Sequence, residues 1–77
     1  MTPFRVWGRV EELAADEFLA VVTAIPENGD PSGIHTLSDL LGSREEARKS
    51  VTGFLVRIGE IVLQHEGRVS AVETHGM

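Results

Sequence analysis

The sequence predicts an α+β fold in the order strand, strand, strand, helix, strand: an antiparallel sheet of three or four strands with one long helix packed on one face. Three observations carry that prediction. From Ser43 to His65 apolar residues recur at the spacing of a helix. From Phe4 to Ile25 they alternate as in strands, and the turn formers Pro26 to Gly33 separate these two regimes.

The helix has a defined start and stop. Ser43 followed by Glu46 is a capping box, in which the serine oxygen accepts from the amide of Glu46 and the Glu46 carboxylate reaches back to the Ser43 amide. Ala47, Val51, Phe54, Ile58, Ile61, Val62 and His65 then fall on one face, and Gly67 reads as the left-handed stop. Glu45 and Lys49 form an i,i+4 pair worth about 0.3 kcal/mol. Leu55, Val56 and Leu63 lie outside that face, so the C-terminal half of the helix is apolar around most of its circumference, the pattern of a helix with two partners. Gly53 and Gly59 each cost about 1 kcal/mol against alanine inside a helix. They read first as sites of close packing on a sheet, and otherwise as an approach site for a second subunit's helix.

In the first strand Phe4, Val6, Gly8 and Val10 alternate with Arg5, Trp7, Arg9 and Glu11. Glu11 to Asp16 reads as a polar turn, and Glu17 to Ile25 as a second strand paired with the first in an antiparallel hairpin. Alternation in this second strand fails informatively. Phe18, Ala20, Val22 and Ala24 are apolar on one side, but so are Leu19, Val21 and Ile25 on the other. A strand apolar on both faces is buried on both. One helix covers one face, which leaves Trp7, Leu19, Val21 and Ile25 for another chain.

Pro26 to Gly33 reads as a surface loop, with Asn28-Gly29 suited to positive φ and Pro31 ending regular structure. Ile34 to Leu41 fits either a short helix beginning at Thr36 or, by preference, a third strand running to about Leu40. Arg68 to Thr74 reads as a short edge strand, with the tail His75 to Met77 frayed.

Composition narrows the function classes. A chain of 77 residues is one domain with a thin core, and without cysteine it has neither disulfide nor zinc thiolate support, so oligomerisation is the expected reinforcement. No apolar run approaches the roughly 18 residues of a membrane span, and no hydrophobic signal region opens the chain, so a cytoplasmic protein is expected. The net charge of −5 and a pI near 5.0 repel phosphate backbones. Nucleic-acid binding therefore needs a local patch, for which Arg5, Trp7 and Arg9 are the candidates.

Catalytic signals are missing. His35, His65 and His75 have no close ligand spacing, and no serine sits in a nucleophile elbow. Glu11-Glu12 and Glu45-Glu46 diverge as adjacent residues, and the glycines form no phosphate loop. No catalytic residue, metal or cofactor is expected.

Two stretches carry a family resemblance. Asp16-Glu17-Phe18-Leu19-Ala20-Val21-Val22 leading to Pro26, and Gly42-Ser43-Arg44-Glu45-Glu46-Ala47 opening the helix, are similar to the HicB-like domains of toxin and antitoxin systems. The strand and helix order resembles that family from residue 4 to 74. The family turns quickly after its proline, whereas this chain inserts GDPSG. Residues after Thr74 leave no room for the family's separate DNA-binding module. The resemblance therefore implies a lone oligomerising domain that masks a small basic partner protein. The expected function is a non-enzymatic homo-oligomer, a dimer or larger, using Trp7, Leu19, Val21, Ile25, Leu55, Val56 and Leu63 as interface. The alternative is a nucleic-acid module using Arg5, Trp7 and Arg9. A small enzyme sharing a subunit-interface site around His35 or His65 is the remaining possibility.

Overall fold

Apolar residues at every second position, from Phe4 to Val10 in one stretch and from Phe18 to Ala24 in the next, give the chain two strands with a matching apolar side, and these pair with each other. The computed structural model describes residues 1–77. β1 (Thr2–Ala14) and β2 (Glu17–Pro26) form an antiparallel hairpin in which Val6 faces Ala24, Gly8 faces Val22 and Val10 faces Ala20. Thirteen residues of β1, at about 3.3 Å each, account for the 41 Å long axis of the molecule. The segment expected as a polar turn from Glu11 is instead strand up to Ala14, with a register shift between Glu12 and Ala14 and the turn confined to Ala15 and Asp16. Its polar residues sit in a hairpin tip that projects into solvent, where a strand needs no apolar face.

The loop after β2 is internally bonded. Gly29 takes φ 78° as Asn28-Gly29 suggests. Pro31 does not simply end structure; it opens a 3-10 turn, Pro31–Gly33, because proline's fixed φ suits a first helical position. Asp30 accepts from the Ser32 amide at 3.0 Å and the Ser32 hydroxyl at 2.8 Å. These bonds, the hydroxyl's first, hold the Asp30 carboxyl below its ordinary pKa.

β3 (His35–Leu41) is a strand, antiparallel to β2, and α1 (Arg44–Gln64) follows at once. Ser43 caps α1, its side-chain oxygen accepting from the Glu46 amide at 3.2 Å. The left-handed residue at the other end is Glu66, with φ 56°, and Gly67 is not the stop. Gly67 instead begins β4 (Gly67–His75), buried beneath Phe4, where any Cβ would run into the Phe4 ring.

β4 lies parallel to β1, so the sheet is mixed, with order β3-β2-β1-β4. The reason is the helix. β3 runs the same way as β1, both being antiparallel to β2, and α1 carries the chain back along the sheet before β4 starts. A connection of this length returns the chain in the same direction, whereas an antiparallel neighbour needs only a short turn. α1 thereby crosses from one edge strand to the other above the central pair. The last strand is longer than expected and includes His75; beyond it, the Gly76 carbonyl accepts from Arg44 Nη1 at 2.8 Å, which ties the tail to the start of α1.

The core is one layer between helix and sheet. Phe4, Val6, Val10, Phe18, Ala20, Val22 and Ala24 meet Ala47, Val51, Ile58 and Val62. Gly8 and Gly67 mark close approaches of sheet and helix, since a Cβ at either would lie 3.0 Å from a helix side chain, Val51 Cγ1 and Val62 Cγ1 respectively. Phe54, Leu55 and Ile61 pack around this cluster. Leu55 is thus a flank of the core rather than a free surface residue, because Val62 and Leu55 lie on the same side of the helical stripe. His65, counted in the apolar stripe, is exposed at the helix end.

Candidate functional site

The face of the sheet opposite α1 has no covering element. Register places its residues in rows. Thr36, Thr23, Trp7 and Glu73 form one row across the four strands, and Ser38, Val21, Arg9 and His75 the next. Leu40, Leu19 and Glu11 lie beyond, and Ile25, Arg5 and Ala71 on the opposite side. Four of the residues expected at an interface, Trp7, Leu19, Val21 and Ile25, therefore share this face. Leu40, 57% exposed, extends it; the sequence signal for Leu40 was blurred by Leu41, an apolar neighbour pointing the other way.

The centre of the face is apolar and its rim is charged. Trp7, Val21, Thr23 and Ile25 line a shallow cleft of about 410 Å³ bordered by Arg9 and His75. Thr23 and Thr36 satisfy each other through their hydroxyls at 3.3 Å. Trp7 Nε1 donates to Glu73 Oε2 at 3.1 Å, and Arg5 lies 3.4 Å from Glu73 Oε1 while its guanidinium stacks 5.1 Å from the Trp7 ring centroid. Arg9 lies 3.7 Å from Glu11, and His75 lies 4.0 Å from Glu73. Every arginine of the Arg5, Trp7, Arg9 row has a carboxylate neighbour. That leaves little unopposed positive charge for phosphates.

Val56 and Leu63 are elsewhere, on the outer side of α1, 65% and 62% exposed. Gly53 and Gly59 do not pack on the sheet: a Cβ added at either would meet nothing within 4 Å. Their expected role in close packing on the sheet is corrected by this geometry, for the glycines at the helix–sheet contact are Gly8 and Gly67, on the sheet side.

The fold also joins two histidines that spacing in sequence kept apart. His35 on β3 and His65 at the end of α1 stack with ring centroids 4.6 Å apart, and His35 Nε2 is buried without a hydrogen-bond partner. No group of three or more histidine, cysteine or carboxylate side chains is placed to hold a metal ion. No helix is long and apolar enough to cross a membrane. Set against family models, curated proteins and solved structures, the chain matches none.

Proposed function

We propose that this chain is a non-enzymatic, cytoplasmic interaction domain that self-associates through the open face of its sheet. The observation that supports the reading is the single helix. It covers Phe18, Ala20, Val22 and Ala24, while Trp7, Leu19, Val21, Ile25 and Leu40 on the reverse side have no covering element. An apolar sheet face rimmed by charge is the anatomy of a protein contact. Burying it also supplies the support that a core of eleven side chains lacks. On the HicB-like resemblance, the same domain would mask a small basic protein, to which its net charge of −5 is complementary.

Sedimentation velocity at micromolar concentration tests the reading: a dimer or larger species is expected, and Trp7→Glu or Val21→Glu should reduce it. A folded monomer throughout that range overturns it. Co-expression with a small basic protein encoded beside this chain tests the masking step by co-purification. The nucleic-acid alternative requires Trp7 fluorescence to quench on titration with an oligonucleotide and binding to fall steeply with salt.

A further inference from the structure

The outer side of α1 carries a second uncovered apolar line. Val56 follows the buried Val51 by five residues, and Leu63 follows the buried Ile58 by five. At about 100° per residue, both point some 140° away from the core. Thr52, Val56, Gly59 and Leu63 then lie in one line along the helix, spaced by four, three and four residues. Val56 and Leu63 are 65% and 62% exposed, the most exposed branched aliphatic side chains in the molecule. Gly59 lies between them with open space where a side chain would be, so nothing within the chain offsets its helix cost of about 1 kcal/mol. Met1, also exposed, lines a common recess with Leu63 and continues the apolar line past the helix end.

This ridge is complementary to itself in one orientation. A two-fold axis between Val56 and Gly59, with the helices antiparallel, sets Val56 opposite Gly59 of the second copy and Leu63 opposite its Thr52. Each large side chain meets a small one, the knob and hole that close helix packing requires. The same axis sets Lys49 opposite Glu66 of the second copy, at both ends of the contact. Lys49 has only a 3.9 Å neighbour in Glu45, both being largely exposed, and Glu66 is exposed just past the helix. A parallel pair would instead set Lys49 on Lys49 and valine on valine. Charge and shape both select the antiparallel arrangement.

We infer that the outer ridge of α1, Thr52, Val56, Gly59 and Leu63, binds a second copy of this chain by antiparallel helix packing, flanked by Lys49 and Glu66. The interface is isologous and lies on the opposite side of the molecule from the sheet face. Rested on the sheet-face reading, two such surfaces give a dimer of dimers.

The test uses the full chain. Sedimentation equilibrium should show a tetramer for the unaltered chain and a dimer for Val21→Glu, which disables only the sheet face. In that background Lys49→Glu should weaken the dimer by about tenfold, since two exposed pairs turn repulsive, and adding Glu66→Lys should restore it. The chain has no cysteine, so Val56→Cys and Gly59→Cys report register: an oxidised mixture of the two should cross-link, and neither alone should. A Val21→Glu monomer overturns the ridge and leaves the sheet-face reading standing. A dimer indifferent to Lys49→Glu, or cross-linking by each single variant alone, also overturns the ridge. An unaltered chain that is dimeric, insensitive to Val21→Glu but sensitive to Lys49→Glu, supports the ridge and overturns the sheet face. A monomeric unaltered chain overturns both.

Discussion

The two faces of β2 have nearly the same composition and opposite fates. Ala20, Val22 and Ala24 are fully buried under α1, while Leu19, Val21 and Ile25, alternating with them, are only half-buried on a face without a cover. Backbone alternation makes both sets equally regular, and what separates them is the supply of covering elements. A four-stranded sheet with one crossover helix has one apolar layer to offer in return. The excess apolar face is a property of the pattern, and it persists whatever the monomer does.

Substitutions on the two faces should therefore differ in what they break. The largest effect is expected at Ile58, fully buried against the sheet: Ile58→Ala should cost about 2–5 kcal/mol, enough in so small a domain to move urea unfolding followed by circular dichroism close to zero denaturant. Val21→Glu on the open face should leave the unfolding of the isolated domain within about 1 kcal/mol while removing association through the sheet, so that in sedimentation the tetramer falls to the dimer held by the ridge of α1. If Val21→Glu unfolds the domain as Ile58→Ala does, the two faces are equivalent and the comparison fails.

Gly59→Ala separates fold from partner more finely. With open space at its Cβ, alanine should raise helix stability by about 1 kcal/mol, read in dilute solution, and weaken association through the ridge at higher concentration. Destabilisation in dilute solution would place the glycine back in the fold's own packing. The smallest effect concerns the loop. Because the Asp30 carboxyl is held below its ordinary value of 3.8 by Ser32, its contribution is present above that pH and fades as pH falls through the depressed value. Ser32→Ala should raise the Asp30 pKa in an NMR titration and lessen that fading, the amide of residue 32 still donating to the carboxylate, without change on either sheet face.

Most of this layout was legible because it rests on local pattern. The capping serine Ser43, the helical stripe through Val51 and Ile58, and the two-sided β2 are all properties of neighbouring residues. Three things were not. The parallel placement of β4 depends on where the helix delivers the chain, which no stretch of β4 encodes. Gly67 has a turn-like sequence signature, yet its role is to admit the Phe4 ring, a contact set by β4 pairing beside β1. Leu55 was missed although angle alone places it on the covered side: it follows Val51 by four residues and precedes Ile58 by three, and a stripe drawn through Phe54 and Ile61 leaves it out. The same long-range pairing brings His35 to His65 and Glu73 to Arg5 and Trp7, none of which spacing reveals.

Trp7 is the chain's only tryptophan and sits in the middle of the uncovered face. Its fluorescence, measured from nanomolar to tens of micromolar protein with acrylamide as quencher, reports directly on whether that face becomes covered. Self-association through the sheet requires quenching to fall and emission to move to shorter wavelength as concentration rises, with Val21→Glu abolishing both changes. Quenching and emission that stay constant over the whole range, with the chain sedimenting at 8.4 kDa, would contradict it.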